Sequence, residues 1–213
     1  MSSVHYDNSS FYNHQAVDLH QKWLREKSVS DLVPFMDSLI HGGRVLDLGC
    51  GTGLDLAWLS KAGFKGVGID SSSKLVEAAK TIHAQSGVEI IEKNFLMMTL
   101  SEAEYDGVWA NLSFPELPAE SLQRLLAICF KGVKQGGVLG AVLYEGLGSY
   151  EEAVMCPTAI PNRMAMLIRK IHLYSEQAIC SMFEQTGFQV LKIGRQKGAN
   201  DSVTRMMILA ERV

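Results

Sequence analysis

Residues 45–53 read Val45-Leu46-Asp47-Leu48-Gly49-Cys50-Gly51-Thr52-Gly53, and this stretch decides how the rest of the chain is understood. A short apolar strand runs straight into glycines at alternate positions. An amphipathic segment follows through Leu54, Ala57, Trp58, Leu59 and Ala62. Alternate glycines between a strand and a helix let the backbone turn sharply and come close to a ligand. Gly63 stops the helix, and Gly66-Val67-Gly68-Ile69-Asp70 is the next strand. A carboxylate at the end of that strand can accept both hydroxyls of a ribose, so a nucleoside-containing cofactor is expected in the crevice at the sheet's carboxyl edge. A dinucleotide fingerprint asks for G-x-G-x-x-G, whereas here Leu54 holds the last position and the glycines run G-x-G-x-G. Asp47, two residues ahead of them, suits an ammonium better than a pyrophosphate. A tight turn without a ligand and a nicotinamide cofactor stand as the competing readings.

Outward from this unit the same texture repeats. One of Ser71, Ser72 and Ser73 caps a helix carrying Leu75, Val76, Ala78, Ala79 and Ile82. Strands are expected at 88–91, 105–110 and 138–144, with a helix over 122–130 that ends at Gln135-Gly136-Gly137. Ser175 caps a helix over 176–186, Gly187 stops it, and strands 188–193 and 203–210 follow with no helix between them. Two consecutive strands imply an antiparallel pair at one sheet edge. Upstream, Leu32, Val33, Phe35, Met36, Leu39 and Ile40 fall at helical spacing within a polar, helix-capable first forty residues. Alternating strands and helices make an α/β, doubly wound sheet.

The chain has 213 residues, 47% hydrophobic and 20% charged, which is the composition of one globular domain. A net charge of −3 removes the broad basic footprint of a dedicated nucleic-acid binder. Four scattered cysteines include no CxxC, and no histidines stand at ligand spacing, so no metal site is expected. No signal peptide or membrane-length apolar run is visible, which gives a cytoplasmic location and no membrane partner as the expectation.

Residues 44–80 resemble the first two motifs of class I S-adenosylmethionine-dependent methyltransferases, in the small-molecule branch. The likeness extends through Tyr105-Asp106-Gly107-Val108-Trp109-Ala110, Lys134-Gln135-Gly136-Gly137-Val138-Leu139, Tyr174-Ser175-Glu176-Gln177 and Gly187-Phe188-Gln189-Val190. It implies a Rossmann-like, seven-stranded sheet of order 3-2-1-4-5-7-6 with the last strand antiparallel. It also implies that S-adenosyl-L-methionine is the cofactor. By that resemblance Asp47, Gly49 and Gly51 hold the methionine moiety, with Cys50 and Gly53 completing the loop. Asp70 takes the ribose hydroxyls, Ser71 and Leu75 lie beside the adenine, and Asn94 and Phe95 bracket it, the Asn94 amide oxygen accepting from the adenine amino group. Asn111 faces the methyl-donor end, and Tyr6 and Tyr12 close over the cofactor.

The acceptor is less legible. A sulfonium already makes its methyl group electrophilic, so the protein chiefly aligns a nucleophile, and the family has no universal catalytic residue. Asn111-Leu112-Ser113-Phe114 stands where methyltransferases of planar amino nitrogens carry Asn-Pro-Pro-aromatic, but both prolines are missing. Glu116 is a candidate base or cation-binding group if it faces the cleft, with a solvated acid before Pro118 as the plainer reading. Tyr144-Glu145-Gly146, ending the fifth strand, is expected to face the cleft as well, with Glu145 a further candidate for the chemistry. The connector 147–174 is expected to form a lid or short helix over the substrate, with Met164, Leu167 and Ile168 as helical core. Its basic residues Arg163, Arg169, Lys170 and His172 would favour an acidic substrate, with a solvated face as the plainer reading. His5, His14 and His172 lie in cap regions.

The expectation is therefore a single domain over 1–213, with a helical cap segment over 1–42 and a substrate lid over 147–174. It would methylate a small molecule, as a monomer or homodimer. Methylation of an amino nitrogen in protein or nucleic acid is one alternative, and a catalytically silent S-adenosylmethionine-binding protein is the other.

Overall fold

The computed structural model describes residues 8–26, 29–157, 164–197 and 203–213. Tyr6, His5 and Arg163 lie outside the described residues. Helix α1 (Asn8–Glu26) and the short α2 (Leu32–Asp37) precede β1 (Arg44–Leu48), α3 (Leu54–Lys61), β2 (Lys65–Asp70), α4 (Ser73–Ile82) and β3 (Glu89–Glu92). Then come β4 (Tyr105–Asn111), α5 (Ala119–Gly132), β5 (Val133–Tyr144), β6 (Ser149–Pro157) and β7 (Met164–His172). The chain closes with α6 (Glu176–Thr186), β8 (Phe188–Lys197) and β9 (Thr204–Arg212).

Among the described residues seven strands form one sheet in the order β3-β2-β1-β4-β5-β9-β8. The first five are parallel and β9 runs antiparallel between β5 and β8. This is the expected order, with the final pair renumbered because 147–174 contributes two strands of its own.

Strand periodicity explains the two cores. Leu46 and Leu48 of β1 pack with Val108 and Ala110 of β4 against Leu122, Leu125 and Leu126 of α5 and Ile179 and Phe183 of α6. Val45 and Trp109 point the other way, toward Phe35 of α2, Leu56 and Leu59 of α3, and Val76 and Ala79 of α4. Buried on both faces, the central strands read as nearly continuous apolar runs. Each fully buried leucine contributes about 1.5–3 kcal/mol.

Three departures from the sequence reading have physical causes. The connector forms an antiparallel hairpin, β6–β7, in place of a short helix. Met164, Leu167 and Ile168 therefore lie in a strand. Their helical spacing is outweighed by the two-residue alternation of 164–172, in which Met164 and Met166 are exposed while Arg169 and Ile171 turn inward. Second, β5 begins at Val133 and takes in Gly136-Gly137, which read as a turn; the ladder with β4 shifts register there, so the glycines mark an irregularity within a strand. Third, β8 and β9 run to Lys197 and Arg212, beyond the ends expected. No helix among the described residues is long and apolar enough to cross a membrane.

Candidate active site

The glycine loop leaves β1 with three residues in left-handed conformation, Gly49 (φ +71°), Gly51 (φ +55°) and Gly53 (φ +75°). Gly49 and Cys50 donate their N–H groups to the Ile69 carbonyl at 2.8 and 3.1 Å, which holds the loop against β2. Asp70 is 8% exposed. Its Oδ2 accepts from the Gly51 N–H at 2.9 Å, and its Oδ1 from the Ser72 N–H at 2.8 Å. Burial pushes its carboxyl above the usual range, and these backbone donors oppose that shift. Close approach is literal here: a Cβ on Gly51 would stand 2.8 Å from Cζ3 of Trp23, and one on Gly49 2.6 Å from Cβ of Ser113.

Helix α1 lies over this loop. Asn13 Oδ1 accepts from Ser72 Oγ at 2.8 Å and from the Lys74 N–H at 3.0 Å, so a residue of α1 helps cap α4. Ser9 Oγ donates to the Ser71 carbonyl at 2.8 Å. Ser72 itself is the N-cap of α4, accepting from the Leu75 N–H.

Two cavities meet beneath α1. The first, about 760 Å³, is bordered by Tyr12, Gly49, Gly51, Asp70, Ser71, Leu75, Asn94, Phe95 and Asn111, nine of the residues expected to hold a cofactor. The second, about 590 Å³, is bordered by Asp47 and Cys50 and reaches Tyr144, Tyr150, Glu152 and Arg169. Both fall in the size range of small-molecule sites, roughly 300–1,000 Å³. Tyr12, Trp23, Gly49, Gly51, Asn111, Leu112 and Glu116 border both.

Gly53 borders neither cavity; it lets the loop pass His83, whose Cδ2 would lie 2.8 Å from an added Cβ. Asn94 Oδ1 already accepts from the Leu96 N–H at 2.9 Å, capping the turn Phe95–Met97, so one of its lone pairs is used within the chain.

The covered end is held by charge. Tyr12 Oη donates to Glu116 Oε1 at 2.6 Å, and Asn8 Nδ2 also donates to Glu116. Arg169 of β7 donates from Nη1 to Glu116 at 3.1 Å and to Tyr12 Oη, and from Nε to Glu152 at 2.8 Å. Its guanidinium stands 5.0 and 5.2 Å from the ring centroids of Phe11 and Tyr12. Burial raises the Glu116 carboxyl above its usual range, opposed by the Tyr12 hydrogen bond and by Arg169. Burial, then the Glu116 charge, raises the Tyr12 phenol well above its own, so Tyr12 stays a protonated donor.

These contacts correct several expectations. Glu116 is a mostly buried, bonded acid, its side chain 10% exposed, and Arg169 at 16% is no part of a solvated face. Glu145 does not face the cleft. It pairs with Arg195 at 2.9 Å on the outside of the sheet, because alternation along β5 sends Tyr144 inward in its place. His14 and His172 border neither cavity. Sequence reasoning missed Trp23, Asp55 and Tyr150 and assigned Arg169 to the wrong environment, whereas Tyr144, expected to face the cleft, does so. Only Asp55, an acid in the first turn after the glycine loop, carried a local signal.

After β4 the chain turns through Leu112 at φ +60°, a rare conformation for a non-glycine residue, and its N–H donates to the Val142 carbonyl at 3.0 Å. Proline fixes φ near −65° and has no N–H. The Asn-Pro-Pro turn is therefore incompatible with this backbone at Leu112, whatever its neighbours are.

A family model for a methyltransferase domain matches residues 45–137. Among curated proteins the chain is 29% identical over 138 residues to the ubiquinone biosynthesis O-methyltransferase of Rhizobium etli, covering 64% of this chain and 54% of that one. It is 27% identical over 194 residues to the protein of the same name from Burkholderia pseudomallei, covering 83% and 82%. The chain spans about half the length of the first curated relatives it matches. Among solved structures, the CcbJ methyltransferase of Streptomyces caelestis superposes with a TM-score of 0.75 at 16% identity, over 98% of this chain and 100% of that one. The 1,6-didemethyltoxoflavin-N1-methyltransferase of Burkholderia thailandensis, solved with its substrate and S-adenosylhomocysteine, gives 0.70 at 15%, over 96% and 87%. At such identity these two likenesses bear on the fold alone. The strand order, the glycine loop and the methyltransferase domain matched over residues 45–137 together support a class I S-adenosylmethionine-dependent methyltransferase.

Proposed function

We propose that the protein transfers the methyl group of S-adenosylmethionine to a small-molecule acceptor where the two cavities meet under α1 and the β6–β7 hairpin. The observation that carries this reading is the shared border: Gly49, Gly51, Asn111 and Glu116 touch a cavity that runs to Asp70 and another that runs to the hairpin.

The donor set fits the cofactor. Asp47 suits its ammonium, the open backbone at Gly49 and Gly51 its amino-acid chain, and the Asp70 carboxylate its ribose. Leu75 and Phe95 offer apolar surface to adenine. When bound, the cofactor supplies a methyl group made electrophilic by the sulfonium, and the chain's residues align the nucleophile against it.

On the acceptor side Tyr144 and Tyr150 line the cavity and keep their protons. Burial raises both phenols, that of Tyr150 to about 12. Glu116, held up by burial and bonded to Tyr12, is the group at the junction that can take a proton from the acceptor. The cover of α1 and hairpin, tied by Arg169, leaves a cleft suited to a compact molecule. Curated relatives named for ubiquinone biosynthesis support the same substrate class. Methylation of an amino nitrogen in a macromolecule finds no support in the Leu112 turn.

Calorimetric titration of S-adenosylhomocysteine, with NAD as the control ligand, tests the reading. The wild type should bind S-adenosylhomocysteine and not NAD. Asp70→Ala should bind it more weakly by about 1–3 kcal/mol, the cost of unmade hydrogen bonds to a carboxylate. Equal affinity in the two proteins would remove Asp70 from the site.

A further inference from the structure

Asp55, in the first turn of α3, is 3% exposed and borders the second cavity. An acid near a helix N-terminus is favoured by the helix dipole, which accounts for a carboxylate there but not for its use. Asp55 Oδ2 accepts from two side chains of β4, Trp109 Nε1 at 3.0 Å and Asn111 Nδ2 at 3.0 Å. A carboxylate only accepts, so the Asn111 atom facing it is the amide nitrogen. The carbonyl end of the same planar group, Oδ1, is turned away from Asp55. Asn111 borders both cavities, and the bond to Asp55 is its hydrogen bond among the described side chains. The junction therefore meets an asparagine fixed in one orientation, as an acceptor.

We infer that Asp55 is a positioning residue that presents Asn111 Oδ1 to the junction, so that the methyl-accepting atom must carry an N–H or O–H hydrogen donated to that oxygen. This rests on the cofactor reading above and narrows its substrate class to amines and hydroxyl compounds. Thiolates, tertiary amines and carbanions offer no such hydrogen. Glu116, a second acceptor at the same junction, is arranged to receive the proton released once the new bond to carbon has formed.

A probe exists that does not need the natural acceptor. In sinefungin an ammonium-bearing carbon replaces the methylsulfonium, which puts N–H donors where the methyl group would stand. Its affinity relative to S-adenosylhomocysteine reads the acceptor character of the junction. Sinefungin should bind the wild type more tightly. Asn111→Leu and Asp55→Leu should each reduce that ratio about tenfold, the effect of one charge-assisted hydrogen bond. Asp55→Asn, whose carbonyl accepts from the same two donors, should keep the ratio.

A proton–nitrogen NMR spectrum of the wild type gives an answer without substituting residue 55. One Asn111 side-chain amide hydrogen, assigned by its loss in Asn111→Leu, should exchange slowly with water. A rapidly exchanging pair, or a ratio unchanged in Asn111→Leu, would overturn the inference while S-adenosylhomocysteine binding stands. Failure of the wild type to bind S-adenosylhomocysteine would overturn the cofactor reading and this one with it.

Discussion

At the glycine-loop end of the cleft the site is shaped mainly by backbone groups of neighbouring elements; at the covered end it is shaped by side chains far apart in the chain. Gly51 and Ser72 reach Asp70 through their own N–H groups, across 19 and 2 positions. Tyr12 reaches Glu116 across 104 positions, and Arg169 reaches Tyr12 across 157. Backbone geometry tolerates most side chains as long as the turn is kept, so the loop end is demanding only at its glycines and its acid. The covered end depends on four particular side chains arriving together. Its carboxylates and guanidinium leave water in the process, which makes the cluster costly to break by halves.

The largest expected effect lies at the loop. Gly51→Val places a β-branched residue at φ +55°, with its Cβ 2.8 Å from the Trp23 ring. We expect a stability loss of more than about 2 kcal/mol by thermal unfolding, together with loss of S-adenosylhomocysteine binding. Retained binding would mean that α1, carrying Trp23, yields easily, and the contrast between a rigid loop and an assembled cover would fail. The new side chain meets Trp23 before it meets any ligand.

A smaller effect is expected at the cover. Arg169→Met leaves Glu116 and Glu152 without their shared cation, at a cost of about 1–3 kcal/mol. Its signature is regional. Hydrogen exchange should quicken in α1 and in the hairpin while β1 and β2 keep their protection. Uniform loosening of the whole domain would break the distinction between the two ends.

The smallest effect is a difference in pH dependence. Asp106, at the start of the sheet, accepts from Lys134 Nζ at 2.8 Å and from the Arg44 N–H at 2.7 Å. Burial would raise its carboxyl, but these donors outweigh it and hold it below 3.8. Its contribution to stability is present above that value and is lost as pH falls through the lowered one. Glu116 has the opposite sign. Raised above 4.5, it takes up a proton in the folded protein first, so acidification from its raised value down to 4.5 favours the folded state. Unfolding measured against pH should therefore lose an acid-side decline in Asp106→Asn and an acid-side gain in Glu116→Gln. Identical profiles for the two variants would overturn these assignments.

What could be read in advance follows the same division. Asp47, Gly49, Gly51, Asp70, Ser71 and Leu75 were legible because a strand, a turn and a helix start are local and their residues stand in fixed order. Glu145 was read as facing the cleft beside Tyr144, and only Tyr144 does, because alternation at a strand's end depends on where the strand stops facing the core. Arg169 looked solvated because no local pattern distinguishes a lysine- or arginine-bearing surface strand from one whose single arginine turns inward.

The sequence by itself determined the alternating strands and helices of a doubly wound sheet, the glycine loop and the acid beside it, since hydrophobic periodicity and glycine turns act over a few residues. The strand order came with the resemblance. The tertiary structure alone decided that Ser149–Pro157 and Met164–His172 pair as antiparallel strands, that Arg169 ties Tyr12 to Glu116, that Asp55 holds Asn111, and that Leu112 takes a conformation closed to proline. Each of these depends on which distant groups the fold brings within hydrogen-bond range, and the free energy of burying a charge or an amide is settled by the partner it meets there.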